Sequence, residues 1–139
     1  MADIKVVVNG VLGKMGQEVL NAVDNTQGMK PVGGSDIAAT IDQIPLPTGE
    51  GFIPVFQDIK DAVKEADVVV DFTNASGAKS VMQAASPAGA NCVIGSTGLS
   101  EETFKIAETL AESNNTSIII APNFAMGAVL MSHLVKEAA

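Results

Sequence analysis

Apolar runs and helical patterns take turns along this chain. IKVVVN (4–9) is a β-branched run that reads as a buried strand. Residues 14–24 repeat at helical spacing, placing Met15, Val19, Leu20 and Val23 on one face. KPVGGS (30–35) reads as a second strand with a glycine-rich end. Residues 38–57, with three prolines and two glycines, show no clear period and read as a loop with a short strand near FIPVF. DIKDAVKEA (58–66) is helical in pattern, with Asp58 as N-cap. DVVVDFT (67–73) reads as a strand, SGAKSVMQAA (76–85) as a helix and NCVIGST (91–97) as a strand. SEETFKIAETLAESN (100–114) opens with Ser100, followed by Glu102 and Thr103, close to a capping box, and continues as a helix. TSIIIAPN (116–123) is a further strand, and 126–139 returns to helical spacing.

Strands that are apolar throughout, separated by helices, must be covered on both faces, and their crossovers are right-handed. The expected fold is therefore α/β: a doubly wound, Rossmann-like parallel sheet forming a single domain over 1–139. A chain of 139 residues, 47% hydrophobic and 17% charged, can bury such a core.

The connection between the first strand and first helix is NGVLGKMG, with glycines at Gly10, Gly13 and Gly16. In that position Gly10 permits a sharp exit from the strand. Gly13 lets the backbone come close to a pyrophosphate, and Gly16 lets the helix pack on the sheet. The helix N-terminus then offers N–H groups and a positive dipole end to the phosphates. The spacing is not G-x-G-x-x-G, and a purely structural turn is the competing reading. Asp36 adds to the case. It lies twenty positions beyond Gly16 at the end of the second strand, where an acid meets the adenosine ribose of a dinucleotide. A carboxylate there favours NAD(H). Lys14, at the helix start, could instead reach a 2′-phosphate or be a solvated surface lysine.

Three later strand ends are polar or small: DFT (71–73), GSTG (95–98) and APNF (121–124). Ligands of open α/β sheets bind outside the carboxyl ends of the strands. Asp71, Thr73, Ser96, Thr97 and Asn123 are therefore expected along one edge near Gly10. Each alone has a cap or turn reading; one ligand lying across that edge accounts for all of them.

These motifs, in this order, resemble the dihydrodipicolinate reductase (4-hydroxy-tetrahydrodipicolinate reductase) family of lysine and diaminopimelate biosynthesis. GVLGKMG looks like the family's G-x-x-G-[RK]-M-G turn, DFT like its mid-domain strand end and GSTG like its G-T-T-G loop. APNF with Ala125, Met126 and Gly127 looks like its A-P-N-F-[AS]-x-G segment. The resemblance implies an NAD(H)- or NADP(H)-dependent oxidoreductase. It implies that the turn from Gly10 through Val11, Leu12, Gly13 and Lys14 to Met15 cradles the pyrophosphate and that Asp36 holds the adenosine ribose. Phe72 and Thr73 would lie against the middle of the cofactor, and Gly95, Ser96 and Thr97 at the nicotinamide end. Ala121, Pro122, Asn123 and Phe124 would contact the carboxamide and lead to a second domain. Some members carry Arg for the 2′-phosphate where this chain has Ile37, and a proline is common where Asn74 and Ala75 stand.

The family's second domain, with its paired histidines, nearby lysine and P-S-G-T-A segment, binds the small dicarboxylate substrate and supplies the proton. None of those motifs occurs in these residues. His133, the single histidine, sits in the last helical pattern, where packing or solvent is its ordinary role, and there is no arginine for a carboxylate clamp. The expectation is a cofactor-binding domain with no catalytic residue of its own and no reductase activity alone, which joins a homo-oligomer when full length. The competing reading is a stand-alone nucleotide-binding or redox-sensing module acting through a protein partner. A homoserine- or aspartate-semialdehyde-type dehydrogenase is a third reading, against which GSTG with APNF argues. Val129, Leu130, Leu134 and Val135 give the last helix an apolar side that is expected to promote self-association when uncovered.

Charge narrows the partners. The net charge is −8, with pI about 4.4 and neither Trp nor Tyr, which argues against nucleic acid or an anionic membrane. No stretch has the roughly 18 apolar residues of a membrane span. One cysteine, Cys92, makes neither a disulfide pair nor a metal cluster, so no metal is expected, and Cys92 reads as a small buried hydrophobe. MADIKVVV lacks a signal-peptide pattern, so the expected location is cytoplasmic, or plastid if a transit peptide had been removed.

Overall fold

The structure is a computed structural model that describes residues 2–121, 131 and 133–137. Seven strands form one sheet in the order β3-β4-β2-β1-β5-β6-β7. They are β1 (Ile4–Asn9), β2 (Met29–Ser35), β3 (Gln43–Pro45), β4 (Phe52–Phe56), β5 (Val68–Asp71), β6 (Asn91–Ile94) and β7 (Ile118–Ile120). All neighbours pair in parallel except β3 and β4. The helices are α1 (Lys14–Asp24), α2 (Ile59–Ala62), α3 (Ala75–Ala85) and α4 (Glu101–Asn114). Short 3₁₀ turns, Val63–Glu65 and Ser86–Ala88, extend α2 and α3.

The period-2 geometry of β1 sends neighbouring valines to opposite layers. Val7 joins a core with Ile59, Val63, Val69, Val81, Met82, Ala85, Cys92, Ile94 and Ala107, beneath α2, α3 and α4. Val8 joins a second core with Val11, Leu20, Ala39, Ile44, Ile53 and Val55, beneath α1 and the β3–β4 hairpin. A strand clothed on both faces has no polar side, which is why IKVVVN does not alternate.

The chain runs outward from β1 to β2 and β4, then returns to the other side of β1 as β5. The strand order therefore reverses between β1 and β5, and their carboxyl ends, Asn9 and Asp71, are register partners there. This is the crevice where open α/β sheets bind ligands.

Several boundaries differ from the sequence expectation. In the segment 38–57 the short strand expected near FIPVF is β4, and a second strand, β3, pairs with it as an antiparallel hairpin, with Gln43, Ile44 and Pro45 opposite Pro54, Ile53 and Phe52. Both of its strands contain proline, Pro45 in the edge strand β3 and Pro54 in β4, which hides the alternation. The helix expected over 58–66 is one α-turn followed by a 3₁₀ turn. The strands at 67–73, 91–97 and 116–123 end earlier, at Asp71, Ile94 and Ile120, and the polar tails at 72–73 and 95–97 lie outside the strands. On α1 the buried face is Gly16, Leu20 and Val23; Met15 is 49% exposed, because the helix meets the sheet at Gly16, one residue later. Residues 131 and 133–137 are helical, with Leu134 and Val135 exposed. Val129 and Leu130 lie outside the described residues.

Candidate functional site

The β1–α1 turn is tightly pinned. Gly10 and Val11 donate their N–H groups to the Ser35 carbonyl at the end of β2, at 2.7 and 3.2 Å. The Gly13 N–H returns to the Gly10 carbonyl at 3.0 Å, and the Gln17 side chain donates to the Val11 carbonyl at 2.6 Å. Gly10 has φ +72°, a conformation that disfavours side chains, and a Cβ there would lie 2.5 Å from the Thr73 methyl. A Cβ on Gly16 would overlap the Gly10 carbonyl, so the first turn of α1 can lie on the strand exit only because Gly16 is bare. Val11 is fully buried, whereas Leu12, Lys14 and Met15 are exposed along the outer side of the turn.

The start of α1 differs from those of the other helices. Asp58, Asn74 and Ser100 cap α2, α3 and α4 through their side chains, and α4 carries Glu101 and Glu102 in its first turn. The α1 N-cap is Gly13, with no side-chain cap and no acidic residue in the first turn. The helix itself therefore supplies neither a cap nor a negative charge to its N–H groups and positive dipole end, as an anion site would require.

Asp36 stands beside this turn. Its Oδ2 accepts the Leu12 N–H at 3.2 Å and its Oδ1 accepts the Ala38 N–H at 2.9 Å. Its own N–H donates to the Phe56 carbonyl, which ties the ends of β2 and β4 together. The glycine turn and the distant acid therefore meet, as their spacing predicts. A cleft of about 600 Å³ opens from here, with Asn9, Gly10 and Thr73 at its inner end. Asp36, Ile37, Gln57, Asp58 and Ile59 form one wall, and Asn74, Ser76, Gly77 and Ser80 at the start of α3 form the other. The α3 wall, Asn9 and the Gln57–Ile59 wall are absent from the sequence-based site. Asn9 ends an apolar strand and Asn74 precedes a glycine by a capping interval, so both carried a signal. The Gln57–Ile59 wall carried none, because it depends on β4 lying beside β2.

The end of β5 is organised around Asp71, which is fully buried. Asp71 Oδ1 accepts from Asn9 Nδ2 and from Thr73 Oγ1, each at 2.7 Å, and Oδ2 accepts from Ser96 Oγ at 2.6 Å. Ser35 Oγ donates to Asn9 Oδ1 at 2.7 Å. One carboxylate thus gathers the carboxyl ends of β1, β2, β5 and β6 through neutral donors. Because Thr73 and Ser96 spend their hydroxyl hydrogens on Asp71, each turns lone pairs to any further partner. The Gly95 N–H donates to the Asp71 carbonyl at 2.7 Å, and a Cβ on Gly95 would overlap the Phe72 ring. Phe72 is half-buried and Thr97 is exposed. Ala121 donates its N–H to the Ile94 carbonyl at 3.0 Å, which brings the next strand end to this edge. Pro122, Asn123 and Phe124 lie outside the described residues.

Behind the site, burial and then the charge of Asp71 push the Cys92 thiol from 9.0 up to about 12, which leaves it a packing residue. Among the described residues no cluster of three or more His, Cys, Asp or Glu could hold a metal ion, and no helix is long and apolar enough to cross a membrane.

Known proteins are similar to this chain in sequence and fold. The 4-hydroxy-tetrahydrodipicolinate reductase of Dehalococcoides mccartyi strain 195 is 45% identical over 140 residues, covering 99% of this chain and 53% of that protein. The enzyme of the same name from Syntrophomonas wolfei is 36% identical, covering 97% and 52%. The chain spans about half the length of the curated relatives it matches. The structure of dipicolinate-bound dihydrodipicolinate reductase from Paenisporosarcina sp. TG-14 superposes with a TM-score of 0.76 at 32% identity, over 93% of this chain and 51% of that one. Scyllo-inositol dehydrogenase from Lactobacillus casei, with bound NAD(H), superposes at 0.70 over 97% of this chain and 41% of its own; at 18% identity it shares the fold alone. Residues 4–124 match the family model described as dihydrodipicolinate reductase, N-terminus, and the chain therefore belongs to that family, as its NAD(P)-binding domain.

Proposed function

We propose that this chain binds NAD(P)H across the carboxyl edge of its sheet and presents the nicotinamide to a substrate held by a further part of a dihydrodipicolinate reductase. The observation that carries the reading is the bare start of α1. The Gly10–Met15 turn ends in a helix with no side-chain cap and no acidic residue in its own first turn, beside a cleft of about 600 Å³ that holds Asp36. That is a fit for a pyrophosphate flanked by an adenosine.

In this reading the backbone of Gly10, Val11, Leu12, Gly13, Lys14 and Met15 holds the pyrophosphate, and Asp36 accepts from the adenosine ribose hydroxyls. Thr73 and Ser96 offer lone pairs to donors on the nicotinamide side, where Phe72, Gly95 and Thr97 shape the surface. The strand end from Ala121 through Pro122, Asn123 and Phe124 completes that side, by resemblance. The reduced nicotinamide supplies a hydride when the dinucleotide is bound. The chain's own contribution is to fix that ring against one edge, because near-attack geometry is where most of the rate of such a transfer originates.

The whole protein, in this proposal, reduces a dihydrodipicolinate precursor, a small dicarboxylate, in lysine and diaminopimelate biosynthesis, as a homo-oligomer. Residues 1–139 form its dinucleotide-binding domain and do not turn over substrate alone, since the described residues bring no general acid or cationic carboxylate clamp to the edge. Amide NMR spectra recorded during titration with NADH test the assignment. The largest shifts are expected at residues 10–16, at Asp36 and at 73–77 and 95–97. Shifts concentrated on the opposite end of the sheet would refute it.

A further inference from the structure

We infer that the adenosine end of this cleft selects NAD(H) over NADP(H), with Asp58 as a second specificity-determining residue beside Asp36. The inference rests on the dinucleotide reading above and deepens it. Asp36 and Asp58 line the same wall, at the ends of the paired strands β2 and β4. They are held close by the bond from the Asp36 N–H to the Phe56 carbonyl, two residues before Asp58.

Neither carboxylate is free to swing aside. Asp36 uses both oxygens on the Leu12 and Ala38 N–H groups. Asp58 Oδ1 accepts the Lys60 N–H at 2.9 Å as the N-cap of α2. Ile37, in the same cleft wall, is 92% exposed and offers no cation. Among the described residues no lysine lines the cleft, and the sequence has no arginine. Lys14 lies on the first turn of α1, outside the cleft lining. A ribose 2′-hydroxyl can donate to Asp36, whereas a 2′-phosphate would bring its negative charge against two carboxylates in the cleft wall, with Lys14, exposed on the first turn of α1, outside that wall.

The test is calorimetric titration of the chain and of Asp58→Asn with NADH and with NADPH. Asparagine caps a helix as well as aspartate does, so α2 is retained while the charge is removed; a thermal melt verifies it. The unaltered chain is expected to bind NADH at least about tenfold more tightly than NADPH. Asp58→Asn is expected to raise NADPH affinity roughly three- to tenfold and to change NADH affinity far less. Raising the salt concentration should narrow the ratio in the unaltered chain more than in the variant. Equal or tighter binding of NADPH by the unaltered chain would overturn the selectivity alone. An unchanged ratio in Asp58→Asn would overturn the role of Asp58. Binding of neither dinucleotide would overturn this inference together with the reading it rests on.

Discussion

At the scale of single residues, Asp71 organises the edge. Its three neutral donors come from three different strand ends, so its removal is felt at all of them. Asp71→Leu would leave Ser96 Oγ buried without an acceptor and Asn9 short of one, a loss of about 2–4 kcal/mol. Urea unfolding of the variant measures it; a loss below 1 kcal/mol would mean that water replaces the carboxylate at no cost. Cys92 is the pH-sensitive case. The unfolded chain loses the thiol proton from about pH 9 and the folded chain holds it to about 12, so this group's contribution to stability falls as pH rises between those values. Folded protein at pH 8 is expected to resist a thiol reagent until urea is added, and Cys92→Ala should flatten the alkaline slope. Rapid labelling of the folded protein would contradict the burial. Asp71 was legible only as a polar residue at a strand end; that it faces inward depends on Asn9 and Ser96 arriving from other strands, which spacing does not reveal.

At the scale of elements, the bounds of the strand–turn–helix unit at residues 4–24 were legible, since its glycines are required by local geometry, although Met15 falls off the buried face. Gly16 carries the sharpest consequence. A methyl group there meets the Gly10 carbonyl, which is backbone and cannot rotate away. Gly16→Ala should therefore cost about 2–3 kcal/mol, or roughly 5–10 °C of melting temperature. A melting temperature within 2 °C of the parent would show that α1 can lift from the turn at little cost. Of the hairpin β3–β4 only the FIPVF strand, β4, was legible; β3 and its pairing were not, for the opposite reason. Pro45, Pro47 and Pro54 break the alternation, and β4 is stabilised through pairing with Gly34 and Ser35 of β2, a contact that exists only in the folded sheet. The strand tails after Asp71 and Ile94 read as strand because they are continuous with apolar runs, yet they leave the ladder, and Thr73 and Ser96 turn to Asp71.

At the scale of the molecule, the doubly wound sheet follows from strands buried on both faces, and the reversal of strand order at β1 decides where a ligand can lie. The glycine turn, Asp36 and the polar ends DFT and GSTG, read from sequence as candidates for one edge, do converge there. The second wall of the cleft, from Gln57 to Ile59, was not legible, because it is built by the hairpin that proline disguised. The central claim is that the bare start of α1 is a working pyrophosphate cradle. Calorimetric titration with NADH of the chain and of Gly13→Val tests it most directly. Gly13 has ordinary φ and ψ of −77° and 164°, and a Cβ there would meet only the Gly10 carbonyl, at 3.3 Å. The variant should therefore fold while its side chain crowds the anion. The account predicts saturable binding by the chain and a loss of about 100-fold or more in the variant, the equivalent of one or two charge-assisted hydrogen bonds. Equal binding by a folded variant would contradict it.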